Sequence, residues 1–186
     1  MTGYGPKQLA ESFRTVRKNT IAIANEIPED KYAFKATPEV MSVAEMLAHL
    51  AVTPLWQIDL HGRRVDRVDF TMFTTRREEA KAAEAALRTK ADIIRALEDA
   101  GEKFARFVEG LDEAALDSTV TFPPAVQPST KTRFEMLLGV KEHEMHHRAQ
   151  LMLVQRLLGQ VPHLTRARQQ VQAQAQAQVA SARSGS

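Results

Sequence analysis

The chain has 186 residues and a formal net charge of +2, with 44% hydrophobic and 26% charged residues. These values are typical of a globular domain with its own core, and so small a net charge gives no argument for nucleic-acid binding. There is no cysteine, which excludes disulfides, cysteine-ligated zinc and a cysteine nucleophile. We find no signal-peptide pattern and no apolar stretch near the roughly 20 residues that span a bilayer, and we predict a soluble, cytoplasmic protein that does not bind membranes.

The first helix is predicted from Pro6 to about residue 26, because proline is tolerated in a first helical turn and a loose apolar stripe follows it. The stripe consists of Leu9, Phe13, Val16, Ile21 and Ile23. Pro28 and Pro38 then interrupt the pattern. Residues 27–41 are therefore predicted to be a connection with at most a short turn.

The second helix is predicted to begin after Ser42, because Ser42 and Glu45 have the spacing of a capping box. It is predicted to end near Gly62, since glycine favours helix C-termini. Pro54 lies inside this segment, where a missing N–H predicts a kink or a break.

The middle of the chain is predicted to contain two more helices. Residues 63–75 have mixed charges and are predicted to be a loop, followed by a short helix over about 75–87. Thr89 and Asp92 have N-terminal capping spacing, and the apolar residues that follow predict a long amphipathic helix to Gly110.

The last core helix is predicted over about 132–158, after an irregular crossing at 111–129 that contains three prolines. It is apolar on two sides, which predicts burial among several neighbours. One side carries Phe134, Leu138, Met145 and Met152, and the other carries Met136, Val140, Leu151, Val154 and Leu158. Strand signals are weak throughout, so we predict an all-α four-helix bundle with an additional short helix over residues 1–162.

The tail, residues 163–186, is a low-complexity Ala/Gln-rich segment. Its composition is compatible with a helix or with disorder. No acidic residue follows Glu144, so this end is locally basic. Solubility and favourable placement at a helix C-terminus account for these charges, and the arginines within 63–77 alternate with acidic residues, so no nucleic-acid partner is predicted.

Three histidines suggest a metal site. His143 and His147 are four residues apart and therefore project from one helix face, whereas His146 is rotated away from it. A third ligand is expected from another helix, and His49 lies among apolar and small residues in the second helix. His49, His143 and His147 together would form a three-nitrogen site suited to zinc or nickel, with cobalt, manganese or iron as alternatives. The ordinary alternative is that an HxxxH pair packs in a helical core without a metal.

The remaining histidines, His61 and His163, lie near glycine or proline at helix ends and are predicted to be exposed. Residues 143–147 also read His-Glu-x-x-His, the pattern of zinc peptidases in which the glutamate, here Glu144, is the general base. That interpretation is disfavoured, because such enzymes usually combine their helix with a sheet and a downstream ligand.

Three segments resemble the DinB/YfiT-like superfamily of four-helix metalloproteins over roughly residues 6–160. They are 42–50 (SVAEMLAHL), 143–151 (HEMHHRAQL) and 156–159 (RLLG). The resemblance implies that His49, His143 and His147 are metal ligands, that Gln150 is either an outer partner or merely packed, and that the protein is a homodimer. Ala149 stands where the family commonly has glycine.

The same resemblance implies an activity, since the family includes thiol-dependent transferases that use bacillithiol or mycothiol, and maleylpyruvate isomerases. Neutral histidines leave the full charge of a divalent ion available to activate a thiol or water. The leading hypothesis is a metal-dependent transferase that uses a low-molecular-weight thiol cosubstrate on a small-molecule substrate. The alternatives are a metal-dependent hydrolase at the same site and a non-enzymatic binding or structural protein, in which the metal only ties helices together or the basic tail docks a partner. Trp56 is predicted to belong to the core or to line a pocket near His49.

Overall fold

The structure, a computed structural model, describes residues 3–184 and the side chains of residues 3–182. These residues form seven α-helices, one 3-10 turn and a two-stranded hairpin. In chain order the elements are α1 Pro6–Glu26, the 3-10 turn Glu29–Lys31, α2 Val43–Gly62, α3 Phe70–Ala86, α4 Lys90–Glu109, α5 Glu113–Asp117, β1 Thr119–Thr121, β2 Thr130–Thr132, α6 Arg133–Leu157 and α7 His163–Ser184. The predicted all-α class is confirmed. In the described part of the chain, no helix combines the length and apolar character needed to cross a membrane.

Side-chain caps define where three of the long helices begin. The Ser42 hydroxyl accepts the backbone N–H of Glu45 at 3.2 Å, and the Glu45 carboxylate accepts the Ser42 N–H at 2.7 Å. Equivalent boxes start α4 at Thr89 and α6 at Thr132. Each box satisfies amide groups that have no partner inside the helix. The predicted starts of α2, α4 and α6 are confirmed.

The four long helices α1, α2, α4 and α6 form the bundle, in which α1 and α2 each pack against both α4 and α6. Side chains from all four helices close the core with almost no exposed surface, among them Phe13, Leu47, Leu97, Phe104 and Leu137. The rings of Phe13 and Phe104 meet edge to face with centroids 4.6 Å apart. The stripes of the bundle helices thus face one another as expected for this architecture.

α2 continues through Pro54, so of the predicted kink or break the break does not occur. A proline has no N–H to donate to the carbonyl four residues earlier, which is that of Leu50. The guanidinium of Arg17 supplies the missing donor, with its Nη2 atom 2.9 Å from the Leu50 oxygen. A side chain from α1 therefore completes the hydrogen bonding of α2.

The predicted loop over 63–75 is partly wrong, because α3 already begins at Phe70. The carboxylate of Asp69 accepts a first-turn N–H at 2.8 Å and is the N-terminal cap of α3. The predicted start of this helix, near residue 75, was therefore too late. Phe73 then packs edge to face on Trp56 of α2, with centroids 5.7 Å apart. This aromatic contact fixes α3 against α2.

The segment 111–129 is more regular than predicted. It contains α5 and β1, and β1 pairs antiparallel with β2 so that Val120 faces Lys131. Val120 and Phe122 are buried in a small cluster with Leu60. A three-residue strand is too short to show an alternating pattern, so the sequence could not indicate it.

The prediction that α6 is buried on two sides is partly wrong. Met145, which belongs to one predicted stripe, is 41% exposed, and Leu153 and Leu157, two further apolar residues within about 120° of it around the helix, are 57% and 56% exposed. The other residues of both predicted stripes are buried or partly buried against the core. The apolar stripe Met145–Leu153–Leu157 is therefore a surface feature.

The C-terminal segment forms α7, and side-chain contacts join the beginning of α7 to α1. Arg166 forms an ion pair with Glu26 of α1, and the side chain of His163 contacts that of Asn19 at 3.2 Å. From residue 166 to residue 182 every side chain is exposed. The division into a bundle over 1–162 and a tail over 163–186 stays a prediction, and residues 1–2 and 185–186 of these parts lie outside the described residues.

Candidate metal centre

The three predicted ligands meet between α2 and α6. His49 comes from α2, and His143 and His147 come from successive turns of α6. The Nε2 atom of His143 lies 3.2 Å from that of His49 and 3.1 Å from that of His147. One ligand atom from each of the three lies within 4.8 Å of the others. The spacing of four residues on α6 and the packing of α2 on α6 are together sufficient to create this arrangement.

The outer nitrogens of two of these rings are held by hydrogen bonds. His49 Nδ1 lies 2.9 Å from the Glu84 carboxylate on α3, and His147 Nδ1 lies 2.7 Å from the Gln150 side-chain oxygen. Both partners are acceptors, so each Nδ1 carries the proton and donates it. Such contacts orient metal-binding histidines and make them better ligands.

In the neutral form that binds a metal, with Nδ1 carrying the proton, the rings of His49 and His147 would both direct an Nε2 lone pair towards His143. His143 Nε2 carries at most one proton and can satisfy only one of these two lone pairs. At least one pair of facing lone pairs is left, an arrangement that is unfavourable in a half-buried site. A cation between the three nitrogens would resolve this conflict.

Burial favours the neutral form that a metal requires. It lowers the pKa of His143 to about 4, with a further contribution from the neighbouring His147 and His49. Burial also lowers the pKa of His147, despite the opposing effect of its hydrogen bond to Gln150. Both rings are therefore mainly neutral at pH 7, and each has one nitrogen lone pair available.

The spacing of the nitrogens suits a divalent transition metal. Zinc–nitrogen bonds of about 2.0–2.1 Å at angles between octahedral and tetrahedral values separate two nitrogens by roughly 2.9–3.4 Å. The separations of His143 Nε2 from the Nε2 atoms of His147 and His49, 3.1 and 3.2 Å, fall within this interval. These two pairs of nitrogens thus fit the predicted ion.

A cavity of about 790 Å³ opens beside the histidines, between α2 and α3. His49 and His143 line it, whereas His147 is buried behind them. Trp56 also lines the cavity while it packs on Phe73, so both predicted roles of this residue apply. His49 is less buried than expected, because its side chain is 31% exposed towards this space. A substrate could therefore reach the three-histidine face.

Glu144 has a structural partner that removes the peptidase interpretation. Its carboxylate, 1% exposed, is bound to the Arg17 guanidinium, with Nε at 2.9 and 3.0 Å from the two carboxylate oxygens. It does not line the cavity. A general base must reach the reacting group, and Glu144 is enclosed by the bundle instead.

The other histidines are placed differently from the prediction in one clear case. His61 was predicted to be exposed, but it is 3% exposed. Arg133 donates to its Nδ1 at 2.9 Å, and its Nε2 donates to Gln57 at 2.9 Å. The hairpin that follows α5 brings Arg133 over the end of α2. The position of His61 next to Gly62 in the sequence gave no sign of this contact. His163 is half-buried, and His146 is exposed and accepts a hydrogen bond from Gln150 at 3.2 Å.

The sequence reasoning missed Glu84. This residue lies among alanines near the end of α3, and nothing in its local spacing connects it to a histidine 35 positions earlier. Only the packing of α3 against α2 brings the carboxylate to His49.

Comparison with known proteins places this fold and site in a family. The sequence model of the DinB superfamily matches residues 12–151. The uncharacterized protein YjoA of Bacillus subtilis (strain 168) is 25% identical over 152 residues, which cover 82% of this chain and 90% of YjoA. The crystal structure of that DinB-like protein superposes with a TM-score of 0.61 at 22% identity, covering 83% of this chain and 93% of the other, and it supports the fold. The chain belongs to the DinB superfamily.

Proposed function

We propose that the protein is a divalent-metal-dependent transferase that joins a low-molecular-weight thiol to an electrophilic small molecule. His49, His143 and His147 are the proposed ligands, and zinc or nickel is the proposed ion. The observation that carries the proposal is the convergence of three Nε2 atoms at the wall of an open cavity, with the outer nitrogens of His49 and His147 held by Glu84 and Gln150.

The chain's own residues define what this site can do. The ion, when bound, would lower the pKa of a coordinating thiol. The chain has no cysteine, so the thiol must come from a cosubstrate. Its sulfur forms a bond to the electrophilic carbon, the leaving group departs with the electrons of its own bond, and the thiol proton passes to solvent through the open cavity. Glu84 and Gln150 keep the rings of His49 and His147 in the required tautomer.

Two alternatives use the same geometry. A metal-dependent hydrolase would use water in place of the thiol, and activity that needs no thiol would favour it. A non-enzymatic protein would use the ion only to tie α2 to α6. The cavity beside His49 and His143 supports an enzyme over this last alternative, because structural zinc sites usually have four protein ligands and no open position.

The metal assignment is tested by elemental analysis of protein purified without a histidine tag or nickel column. We expect about one zinc or nickel ion per chain, lost in His147→Ala. The matched control is His146→Ala, which removes an exposed imidazole from the adjacent position of α6. A fully loaded His147→Ala protein, or equal loss in both variants, would contradict the ligand assignment.

The reaction is tested by incubating the metal-loaded protein with bacillithiol, mycothiol or glutathione and an electrophile such as monochlorobimane. We expect thiol adducts to form in the wild type and in His146→Ala but not in His147→Ala. Turnover of p-nitrophenyl acetate in the absence of any thiol, without adduct formation, would favour the hydrolase. Such thiols are kept reduced in the cytoplasm, which is the compartment that we propose for the protein.

We also propose a homodimer. The exposed stripe Met145–Leu153–Leu157 on α6 supports this proposal, because a second copy would remove these apolar side chains from water. Sedimentation velocity should give a dimer for the wild type and a monomer for Leu153→Glu. A wild-type monomer at micromolar concentration would refute the proposal.

A further inference from the structure

The cavity beside the histidines has two chemically different walls. Its apolar part includes Trp56 of α2 and Phe73 of α3, which contact each other at the floor. Arginine and lysine side chains of α3 lie along the other part, namely Arg76, Arg77 and Lys81. An apolar surface beside fixed charges is the usual composition of a small-molecule site, in which a few polar groups determine orientation.

The α3 residues that line the cavity form a continuous row. Phe73, Arg77, Lys81 and Glu84 follow a spacing of four, four and three residues, so they project from one helix face. With a rise of about 1.5 Å per residue, Lys81 lies about 4.5 Å and Arg77 about 10 Å along the helix from Glu84. Because Glu84 binds His49, the row leads from the metal centre to two cations and then to an aromatic ring.

The three cations that line the cavity differ in whether their charge is already paired with a carboxylate. Arg76 forms ion pairs with Asp59 and with Glu79. Arg77 and Lys81 form no ion pair with any residue of the described chain. The acidic residues of the lining are already engaged, since Glu79 binds Arg76 and Glu84 binds His49. The unpaired charge of the cavity is therefore positive.

We propose that this cavity binds an amphipathic carboxylate as the electrophilic substrate, with its anionic group on Arg77 and Lys81 and its apolar body against Trp56 and Phe73. The role as electrophile rests on the proposed function, whereas the binding itself needs only the cavity. In this row the carboxylate lies between the metal centre and the aromatic pair, so the electrophilic carbon is next to the carboxylate and the apolar body extends away from His49. Arginine and lysine both bind carboxylates, and because Arg77 and Lys81 are exposed, the contact is expected to be of modest strength.

The test uses the full chain loaded with zinc, and Trp56 as the reporter. Trp56 is the only tryptophan of the sequence, so its fluorescence responds to occupation of the cavity. The probes are 4-phenylbutyrate and its neutral counterpart 4-phenylbutyramide, which differ only in charge at the polar end. We expect the carboxylate to bind about fivefold more tightly than the amide, a factor in keeping with partly exposed charge pairs.

Two double variants separate the cationic row from general charge effects. Arg77→Gln/Lys81→Gln should bind both probes equally, with unchanged zinc content. Arg88→Gln/Lys103→Gln removes two exposed charges that do not line the cavity, and it should keep the fivefold preference. Zinc content is measured in every sample by elemental analysis.

Three results would overturn the proposal: no fluorescence response to either probe, equal binding of both probes by the wild type, or a preference that survives in Arg77→Gln/Lys81→Gln. In the last case, loss of the preference on zinc removal would assign the carboxylate to the ion instead. Failure of the proposed function would give a different result. If the protein retained no metal but still bound the carboxylate more tightly than the amide, the metal centre would be refuted and the carboxylate site would be supported.

Discussion

Arg17 is the residue whose replacement should disturb the bundle most. Its guanidinium, 5% exposed, binds Glu144 of α6 and donates to the backbone oxygens of Leu97 at 2.8 Å and of Leu50 at 2.9 Å. One side chain of α1 thus connects α2, α4 and α6. The substitution Arg17→Met keeps much of the side-chain length and removes every one of these donors.

The expected loss of stability can be estimated from the groups that Arg17→Met leaves without a partner. Removing one partner of a buried ion pair costs about 3–5 kcal/mol, because the remaining charge stays buried without compensation. The Leu50 oxygen loses its donor as well, and Pro54 cannot replace it, which adds about 1 kcal/mol. The Leu97 oxygen still accepts a hydrogen bond within α4, so the loss of its contact with Arg17 adds little to the loss of stability. We expect Arg17→Met to lower the free energy of unfolding by about 4–6 kcal/mol, a large part of the stability of a domain of this size.

The assay is urea unfolding followed by circular dichroism, with a chelator present so that metal binding does not add to stability. Arg17→Met/Glu144→Leu serves as the second variant, because an apolar pair of similar volume no longer leaves a buried charge. We expect the double variant to be more stable than Arg17→Met by at least about 2 kcal/mol. A loss below about 1.5 kcal/mol in Arg17→Met, or additive losses in the double variant, would refute the reasoning.

Three further predictions follow from contacts elsewhere in the bundle. Glu84→Ala should weaken zinc affinity about 10–100-fold in competition with a chelating dye, because His49 loses its outer hydrogen bond, whereas the exposed Glu78→Ala on the same helix should leave it unchanged. Gly101→Ala should lower the urea midpoint by the equivalent of about 1–3 kcal/mol, because the added Cβ would lie 2.8 Å from Cγ of Arg17. The Arg17 side chain cannot easily move away, since its guanidinium is bound to Glu144 and to the Leu97 oxygen. A gain of stability, which is the ordinary result of this substitution in a helix, would count against the close contact. Burial, with a smaller effect of Arg133, lowers the pKa of His61 to about 4, so the unfolded chain takes up the proton first. His61 alone should therefore lower the unfolding free energy of the metal-free protein by up to about 3 kcal/mol between pH 6.5 and pH 4, beside the contribution of His143. In His61→Gln that part of the pH dependence of the unfolding free energy should be absent, and an unchanged slope would exclude His61 as its source.

The features that the sequence could predict are those encoded over a few neighbouring residues. The starts of α2, α4 and α6 were predictable because each capping residue and its partner are three positions apart, as with Ser42 and Glu45. The pairing of His143 with His147 was predictable for the same reason, since helical spacing alone puts both on one face. The beginning of α3 was placed too late because Asp69 was not recognised as its cap.

Contacts between helices that lie far apart in the chain could not be predicted. The Glu84 carboxylate reaches His49 only because α3 folds back on α2, and the two residues are 35 positions apart. Arg17 and Glu144 are 127 positions apart, and neither has a local signal that distinguishes it from an exposed charge. The prediction that His61 is exposed failed in the same way, because its partner Arg133 is supplied by a different part of the chain.

The segment 143–147 shows why spacing alone does not determine chemistry. Its letters match the His-Glu-x-x-His pattern, yet adjacent helical residues point about 100° apart, so Glu144 cannot share the direction of His143. In this bundle the direction of Glu144 leads to Arg17, and that of His143 and His147 leads to His49. The ion pair therefore fixes the rotation of α6 that brings both histidines to α2. The glutamate at the general-base position of the peptidase pattern here joins α6 to α1 through Arg17.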